Sequence, residues 1–202
     1  MLDRQIPYFN MILKCSTYQP EKIHLPENFS FRYFQPGDEK NWARLEYEIG
    51  DFASPDEAEE YFKETYGKEQ EELSERCVFL INEQGDVIGS GIAWRDKRKG
   101  KSAASLHWLV VDPAYQGRKL GKALCRKVME IFWKKGEFPV YLHTQPWSWK
   151  AVLLYLRLGF RLQKEDTFAD YENQYQAAME TLKNVLNEEQ YRELLAHSED
   201  GR

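Results

Sequence analysis

Cysteine is scarce in this 202-residue chain: only Cys15, Cys77 and Cys125 occur. Their number is odd, they lie far apart and no C-x-x-C pair exists, so neither a disulfide framework nor a zinc site is implied, and no metal is expected. Cys125 falls inside an apolar helical pattern and reads as a buried, inert thiol. No apolar run approaches the ~20 residues that a membrane span needs. The opening MLDRQIPYFNMILK lacks the apolar core and small-residue cleavage site of a signal peptide, so the expectation is a soluble cytoplasmic protein with no membrane partner. Basic charge is in deficit, with 28 Lys and Arg against 33 Asp and Glu and a formal net charge of −5. That balance argues against nucleic-acid binding, which wants a basic face, and is compatible with a cationic substrate without demanding one.

What is present suffices for a sizeable core. Hydrophobic residues make up 42% of the chain and aromatics 14%, which speaks against global disorder. The length suits one domain, divided here into an N-terminal extension 1–28, a core 29–165 and C-terminal helices 166–202. Phe9–Leu13 suggests a short strand and Phe29–Phe34 a second, ended by the turn signal Pro36-Gly37-Asp38. Asn41–Ile49 reads as a helix. Ser54-Pro55-Asp56-Glu57 reads as a helix start, with Ser54 as cap, Pro55 in the first position and Glu57 able to close a capping box; a charged helical stretch then runs towards Glu75. Cys77–Ile81, the Gly85-Asp86 turn and Val87–Trp94 read as a hairpin. The glycines of Gly89-Ser90-Gly91 lie inside its second strand and mark close packing or a bulge. The basic run Arg95–Lys101 suits a solvated hairpin tip turning at Gly100.

Leu106–Val111 is nearly all apolar and stops at Asp112-Pro113, as expected of a strand covered on both faces. Leu120, Leu124, Val128 and Ile131 recur at helical spacing over about five turns. Pro139–Thr144 reads as a strand, Ser148–Leu158 as a helix ended by Gly159, and Phe160–Gln163 as another strand. Helices are expected over Tyr171–Val185 and Glu188–His197, the latter capped by Asn187. An antiparallel meander followed by a parallel crossover makes an α+β protein with one central sheet.

The chemistry-bearing segment is Asp112–Leu124, where a buried strand passes into a helix. The first amides of a helix lack intrahelical partners and carry the positive end of its dipole, so a phosphate placed there accepts several hydrogen bonds at once. Gly117 and Gly121 let it approach, and Arg118, Lys119 and Lys122 add positive charge. Neither the P-loop nor the Rossmann glycine pattern is met: Gly117 to Gly121 is one residue short of the former, and Ala123 replaces its metal-binding hydroxyl. Read alone, the segment is equally a strand–turn–helix whose Gly117 only makes the turn.

Gln116 and Gly121 fit the ends of the Q/R-x-x-G-x-G/A motif of the GCN5-related N-acetyltransferase (GNAT) superfamily, with Lys119 in place of its middle glycine. A left-handed backbone there makes lysine unfavourable; a right-handed one, favoured because the position reads as part of the first helical turn, makes it harmless. Ser148–Phe160 resembles the family's N-x-x-A-x-x-L-Y-x-x-x-G-F segment, with Ala151, Leu154, Tyr155, Gly159 and Phe160 matching and Ser148 replacing the asparagine. The resemblance covers roughly residues 29–162. It implies the acyl-CoA N-acyltransferase fold, a mixed and mostly antiparallel sheet with helices on both faces, though the family's final strand is not evident after Phe160–Gln163. Either that strand is missing or another segment supplies it.

The resemblance further implies direct transfer of an acetyl group from acetyl-CoA, the co-substrate, to a small-molecule or peptide amine. Gln116, Gly117, Arg118, Lys119, Leu120, Gly121 and Lys122 would hold the diphosphate. Leu109, Val110 and Val111 would pair with the pantetheine arm between two splayed strands, with an amide near Val110 facing the thioester oxygen, and Ser148 would touch the same arm. Tyr155 is the candidate general acid, and His107 and His143, one on each splayed strand, are candidate bases or core histidines. Glu46, Glu48 and Asp51 stand where the family forms its acceptor loop; they hold a cationic acceptor or are exposed helix acids. Trp147 and Trp149 wall the acceptor pocket or pack in the core. A non-catalytic acyl-CoA-binding module, another acyl group and a homodimer stay open.

Overall fold

In chain order the strands of the computed structural model, which describes residues 3–98 and 100–200, are β1 (Met11–Cys15), β2 (Ser30–Tyr33), β3 (Cys77–Ile81), β4 (Val87–Arg98), β5 (Lys101–Val111), β6 (Val140–Thr144), β7 (Arg161–Gln163) and β8 (Ser198–Glu199). The helices are α1 (Glu39–Ile49), α2 (Pro55–Tyr66), α3 (Gln70–Arg76), α4 (Leu120–Lys135), α5 (Trp149–Leu156), α6 (Tyr175–Val185) and α7 (Glu188–Ala196). The chain divides into two units, one of Pro20–Trp94 with Leu106–Lys135, the other of Leu2–Gln19, Arg95–Ser105 and Gly136–Arg202. The class is α+β with mixed strand directions, as expected.

In the first unit the strands follow the order β2-β3-β4-β5, with β3 antiparallel to both neighbours through Phe31↔Leu80 and Phe79↔Ser90. Alternation along β4 decides what each face meets. A side chain at Gly91 would strike Val128 of α4, whereas Ile92 and Trp94 join the core built with α1 and α2 around Trp42, Phe62 and Tyr66. Helices therefore cover both faces of these strands. The start of α2 is as the residues dictate: Ser54 Oγ accepts the Glu57 amide at 3.1 Å and Pro55 is the first helical residue. The Glu57 carboxylate reaches one residue further back than a capping box requires, to the Ala53 amide. The expected charged stretch to Glu75 is interrupted by a 3-10 turn at Gly67–Glu69 before α3.

In the second unit the order is β5-β6-β1-β7-β8. β6 is parallel to the first half of β5 (Ser105↔Tyr141). β1 lies between β6 and β7, antiparallel to both through Ile12↔His143 and Leu13↔Leu162. The strand looked for after Phe160–Gln163 is thus supplied from the N-terminal segment, and Met11, Ile12, Leu13 and Cys15 are fully buried there. The C-terminus adds β8, a two-residue strand parallel to β7 (Leu162↔Ser198). Three expectations shift. The first strand begins at Met11 rather than Phe9. α6 begins at Tyr175, just after Gln174, whose backbone amide donates to the Asn10 carbonyl and whose side-chain oxygen accepts the Asn10 amide. β4 continues through Arg98, so the basic run is largely strand; the chain reverses at Gly100 (φ 78°), and Lys99 lies outside the described residues. No helix among the described residues is long and apolar enough to cross a membrane.

Candidate active site

The segment Leu106–Val111 occupies the second half of β5, but its side chains do not alternate. Trp108 has φ 50°, a left-handed backbone that a bulky residue adopts only under constraint. Consequently the consecutive residues His107 and Trp108 both reach α2: His107 Nδ1 is 2.7 Å from the Tyr66 hydroxyl, and the Trp108 ring sits 5.4 Å from that of Tyr61. Two adjacent side chains on one face is the signature of a bulge. Beyond it, the backbone of β5 comes unusually close to β4. A Cβ at Gly89 would stand 2.8 Å from the carbonyl oxygen of Val110, and one at Gly91 2.9 Å from the Leu109 side chain. The two glycines therefore mark close packing, as their position in a strand implied. Leu109 is half-buried, and Val110 and Val111 are buried.

After β5, Asp112 starts a 3-10 turn, its carboxylate accepting the Ala114 amide at 2.8 Å. Gln116 folds back to donate its side-chain amide to the Val111 carbonyl at 3.0 Å. Gly117 has φ 79° and Lys119 φ 63°, and α4 starts at Leu120. The right-handed reading of Lys119 is therefore corrected. It lies one residue before the helix, where the chain must reverse its sense to enter α4, so it is left-handed and lysine carries about 1–2 kcal/mol of strain there. Its carbonyl accepts the first helical bond, from Ala123. The amides of Leu120, Gly121 and Lys122 precede that bond and have no intrahelical acceptor. Gln116 to Lys119 are exposed, and the space beside Gly117 is open. The Arg118 guanidinium lies 5.3 Å from the Tyr115 ring centre. An exposed turn, a helix N-terminus and three cations suit a diphosphate, so these residues fit the acetyl-CoA that the resemblance implies.

Sequence reasoning missed the aromatic cluster of the first unit. Trp42, Phe52, Tyr61 and Trp108 pack with ring centres 5.4–6.2 Å apart. The four are spread over more than sixty residues, and nothing local pairs them before the bulge turns Trp108 towards α1 and α2. The three acids separate. Glu48 is exposed and paired with Arg44 at 2.8 Å, an ordinary helix ion pair. Glu46 is not an exposed helix acid: it is 1% exposed, one turn from Trp42, and its Oε1 has no hydrogen-bond partner, nor does Trp42 Nε1. Burial, with a smaller contribution from the charge of Asp51, raises the Glu46 carboxyl well above the usual carboxylate range.

The other candidates belong to the second unit. Tyr155 is buried on α5, its ring 5.8 Å from Phe160 and its carbonyl accepting the Phe160 amide. Gly159 turns the chain at φ 97°, as its place at the helix end implied. Ser148 lies in a 3-10 turn ahead of α5, and its hydroxyl accepts the Gln145 amide at 3.1 Å. Trp147 packs on Tyr8 and under the Arg4 guanidinium, 4.3 Å from its ring centre. His143, half-buried on β6, contacts Asn10 Oδ1 at 2.7 Å and the Tyr8 hydroxyl at 3.1 Å, and stacks on Tyr171 at 4.2 Å. Sequence position hid Asn10 and Tyr8, which lie more than 130 residues away on the N-terminal side. Among the described residues no group of His, Cys, Asp and Glu is arranged to hold a metal ion.

Known proteins share this architecture. A GCN5-related N-acetyltransferase from Sphaerobacter thermophilus superposes with a TM-score of 0.59 at 22% identity, covering 78% of this chain and 50% of that one. Glucosamine-6-phosphate N-acetyltransferase from Arabidopsis thaliana gives 0.51 at 18% identity over 74% of this chain and 99% of that one. In sequence, a mycothiol acetyltransferase from Actinosynnema mirum is 31% identical over 148 residues, 73% of this chain. A glucosamine 6-phosphate N-acetyltransferase from Trypanosoma brucei brucei is 34% identical over 96 residues, 46% of this chain. The chain spans 49% and 63% of the length of these two relatives. Residues 40–160 match the model of the Acetyltransferase (GNAT) family. That match takes in β5, the turn before α4, and α5 with Tyr155, and the chain belongs to the GNAT acetyltransferase family.

Proposed function

We propose that this protein transfers the acetyl group of acetyl-CoA directly to the amine of a small polar molecule. The observation that carries the proposal is the exposed turn Gln116–Lys119 opening α4, with Gly117 leaving space and the amides of Leu120, Gly121 and Lys122 ahead of the first helical bond. A diphosphate on that turn brings the thioester end of the co-substrate towards Leu109–Val111, whose Val110 amide is assigned to the thioester oxygen as charge develops on it. The relatives named for glucosamine 6-phosphate and mycothiol favour a small amine over a peptide. A cytoplasmic setting goes with this reading, since Cys15, Cys77 and Cys125 are buried and in no disulfide.

Magnitudes decide where side chains are needed. An alkylamine with a pKa of about 10.4 is neutral in only about one molecule in a thousand at pH 7, whereas a thiol of pKa about 8.5 leaves without much help. The harder task is removing a proton from the acceptor ammonium. His143 is assigned that task in preference to His107, whose Nδ1 is tied to the fully buried Tyr66. The neutral amine forms its bond to the acetyl carbon and the C–S bond breaks. Tyr155 gives its proton to the sulfur, the new amide's surplus proton restores Tyr155, and the proton held on His143 passes to water.

The test is thiol release from acetyl-CoA with a set of amino sugars and other amines. Turnover on at least one amine, lowered about 100-fold or more by Tyr155→Phe, supports the reading. The strained Lys119 favours the alternative of a non-catalytic acyl-CoA-binding module. Tight acetyl-CoA binding with no turnover on any amine would establish that alternative instead.

A further inference from the structure

The layer between α1 and the strands of the first unit holds polar atoms that apolar packing does not explain. Arg44 ties α1 to the head of β4, its guanidinium donating to the Val87 carbonyl. On the inward face of α1, Trp42 and Glu46 stand one turn apart, 0% and 1% exposed. Trp42 Nε1 and Glu46 Oε1 have no hydrogen-bond partner. Ser90 of β4 is a third case. Alternation places it on the face of Ile92, towards the core shared with α1 and α2, and its Oγ is buried without a partner. Buried polar atoms are nearly always bonded, and one left unbonded costs free energy.

Donor and acceptor roles decide which group would satisfy the pair on α1. The indole N–H of Trp42 can only donate. An ammonium carries donors alone, so it would leave Trp42 unbonded. Burial, and after it the charge of Asp51, also raises the Glu46 carboxyl well above the usual carboxylate range, so it lacks the charge that an ammonium needs opposite it. A hydroxyl both accepts and donates. Its oxygen takes the Trp42 N–H and its proton goes to Glu46 Oε1. Position suits an acceptor as well. The Trp42 ring centre is 5.4 Å from that of Trp108, and Trp108 immediately precedes the Leu109–Val111 stretch assigned to the co-substrate.

We infer that Trp42 and Glu46 together bind a hydroxyl group of the acceptor, so that hydroxylated amines (amino alcohols and amino sugars) are selected over plain alkylamines. The inference rests on the acetyl transfer proposed above for the amine; the hydroxyl follows from the two orphaned atoms. Glu46 is then a hydrogen-bonding group, not the counter-ion of a cationic acceptor. The rings against Trp42 reach the surface, Phe52 and Trp108 half-buried and Tyr61 exposed. Phe52, on the connection between α1 and α2, turns aside to admit the ligand.

The experiment compares trans-2-aminocyclohexanol with cyclohexylamine, which differ by the one hydroxyl. With the full chain and acetyl-CoA, kcat/KM from thiol release is expected to favour the amino alcohol by about 10-fold or more. Glu46→Leu and Trp42→Phe are each expected to bring that ratio close to one, with acetyl-CoA binding retained as the check that the variant folds. A second measurement needs neither turnover nor a stable Glu46 variant. In the full chain labelled with 15N-tryptophan, the Trp42 indole signal, assigned by its loss in Trp42→Phe, is expected to move downfield on addition of the amino alcohol and to stay in place with cyclohexylamine. Equal kcat/KM for the two amines in the wild type would overturn the inference, as would an undiminished ratio in folded Glu46→Leu or an indole signal that ignores the amino alcohol. Absence of turnover on every amine would remove acetyl transfer itself, and the hydroxyl site would then stand or fall on the indole signal alone.

Discussion

Two residues of the first unit sit in environments that a helix-and-strand reading does not anticipate, and each has a measurable consequence. Lys119 is left-handed and exposed at the mouth of α4. Glycine at that position relieves the clash of Cβ with the following carbonyl, so Lys119→Gly is expected to stabilise the protein by about 1 kcal/mol, read from urea unfolding. The gain is reduced by the greater freedom of glycine in the unfolded chain. Glu46 has the opposite problem, a buried carboxyl whose Oε1 has no hydrogen-bond partner. Because its pKa is raised in the folded state, first by burial and then by Asp51, the folded chain holds that proton more tightly than the unfolded chain does. Stability from this group is complete below the ordinary value of 4.5 and is lost as pH rises through the higher folded value. Glu46→Gln, which cannot ionise, is therefore expected to unfold at a higher temperature than the parent, by a margin that widens from pH 5 to pH 9. A margin that stays constant with pH would show that Glu46 is ionised in the fold.

At the scale of elements, two features stand out: the close approach of β4 and β5 in the first unit, and the insertion of β1 between β6 and β7 in the second. A methyl group at Gly89 would press on the Val110 carbonyl oxygen at 2.8 Å; that oxygen is backbone and cannot rotate away. Gly89→Ala is expected to cost about 1–3 kcal/mol in chemical denaturation and to weaken acetyl-CoA binding by displacing Leu109–Val111. β1 is a core strand although it lies near the N-terminus, with Leu13 fully buried and paired to both Leu142 and Leu162. Leu13→Ala is expected to destabilise by about 2–5 kcal/mol, the penalty of an interior strand, whereas an edge strand at a frayed terminus would register far less. The burial of β1 is also seen in Cys15, whose thiol is pushed up to about 11 by loss of solvent, which keeps it protonated and slow towards alkylating reagents at neutral pH.

For the whole molecule, ligand linkage is the most direct reading of the co-substrate site. Acetyl-CoA at 100 times its Kd is expected to stabilise the folded chain by about 2.7 kcal/mol, measured as a rise in the unfolding midpoint. Because the proposed contacts are to a charged diphosphate, the rise is expected to shrink as salt increases. No shift at any concentration would remove the assignment of Gln116–Lys122 as the cradle.

Most of the architecture could be read from residues alone, because caps, turns and apolar periods are local. Ser54 with Pro55, the Gly85 turn, Asn187 as the cap of α7 and Gly159 at the end of α5 all act through neighbours within four residues. The exposed turn before α4 and the helix that carries Tyr155 could be read for the same reason, as short stretches whose spacing carries the resemblance. Three features depend on the folded chain: the left-handed Trp108 and Lys119, the burial of Glu46, and the terminal segments gathered at His143. None has a local signature. The backbone of β5 bends because α1 and α2 attract two consecutive side chains, Glu46 is buried by a core assembled from distant helices, and Asn10 meets His143 only when β1 takes its place between β6 and β7. Sequence determines what each segment can be; long-range packing alone decides which atoms meet, since contacts between distant residues leave no pattern in the segments that make them.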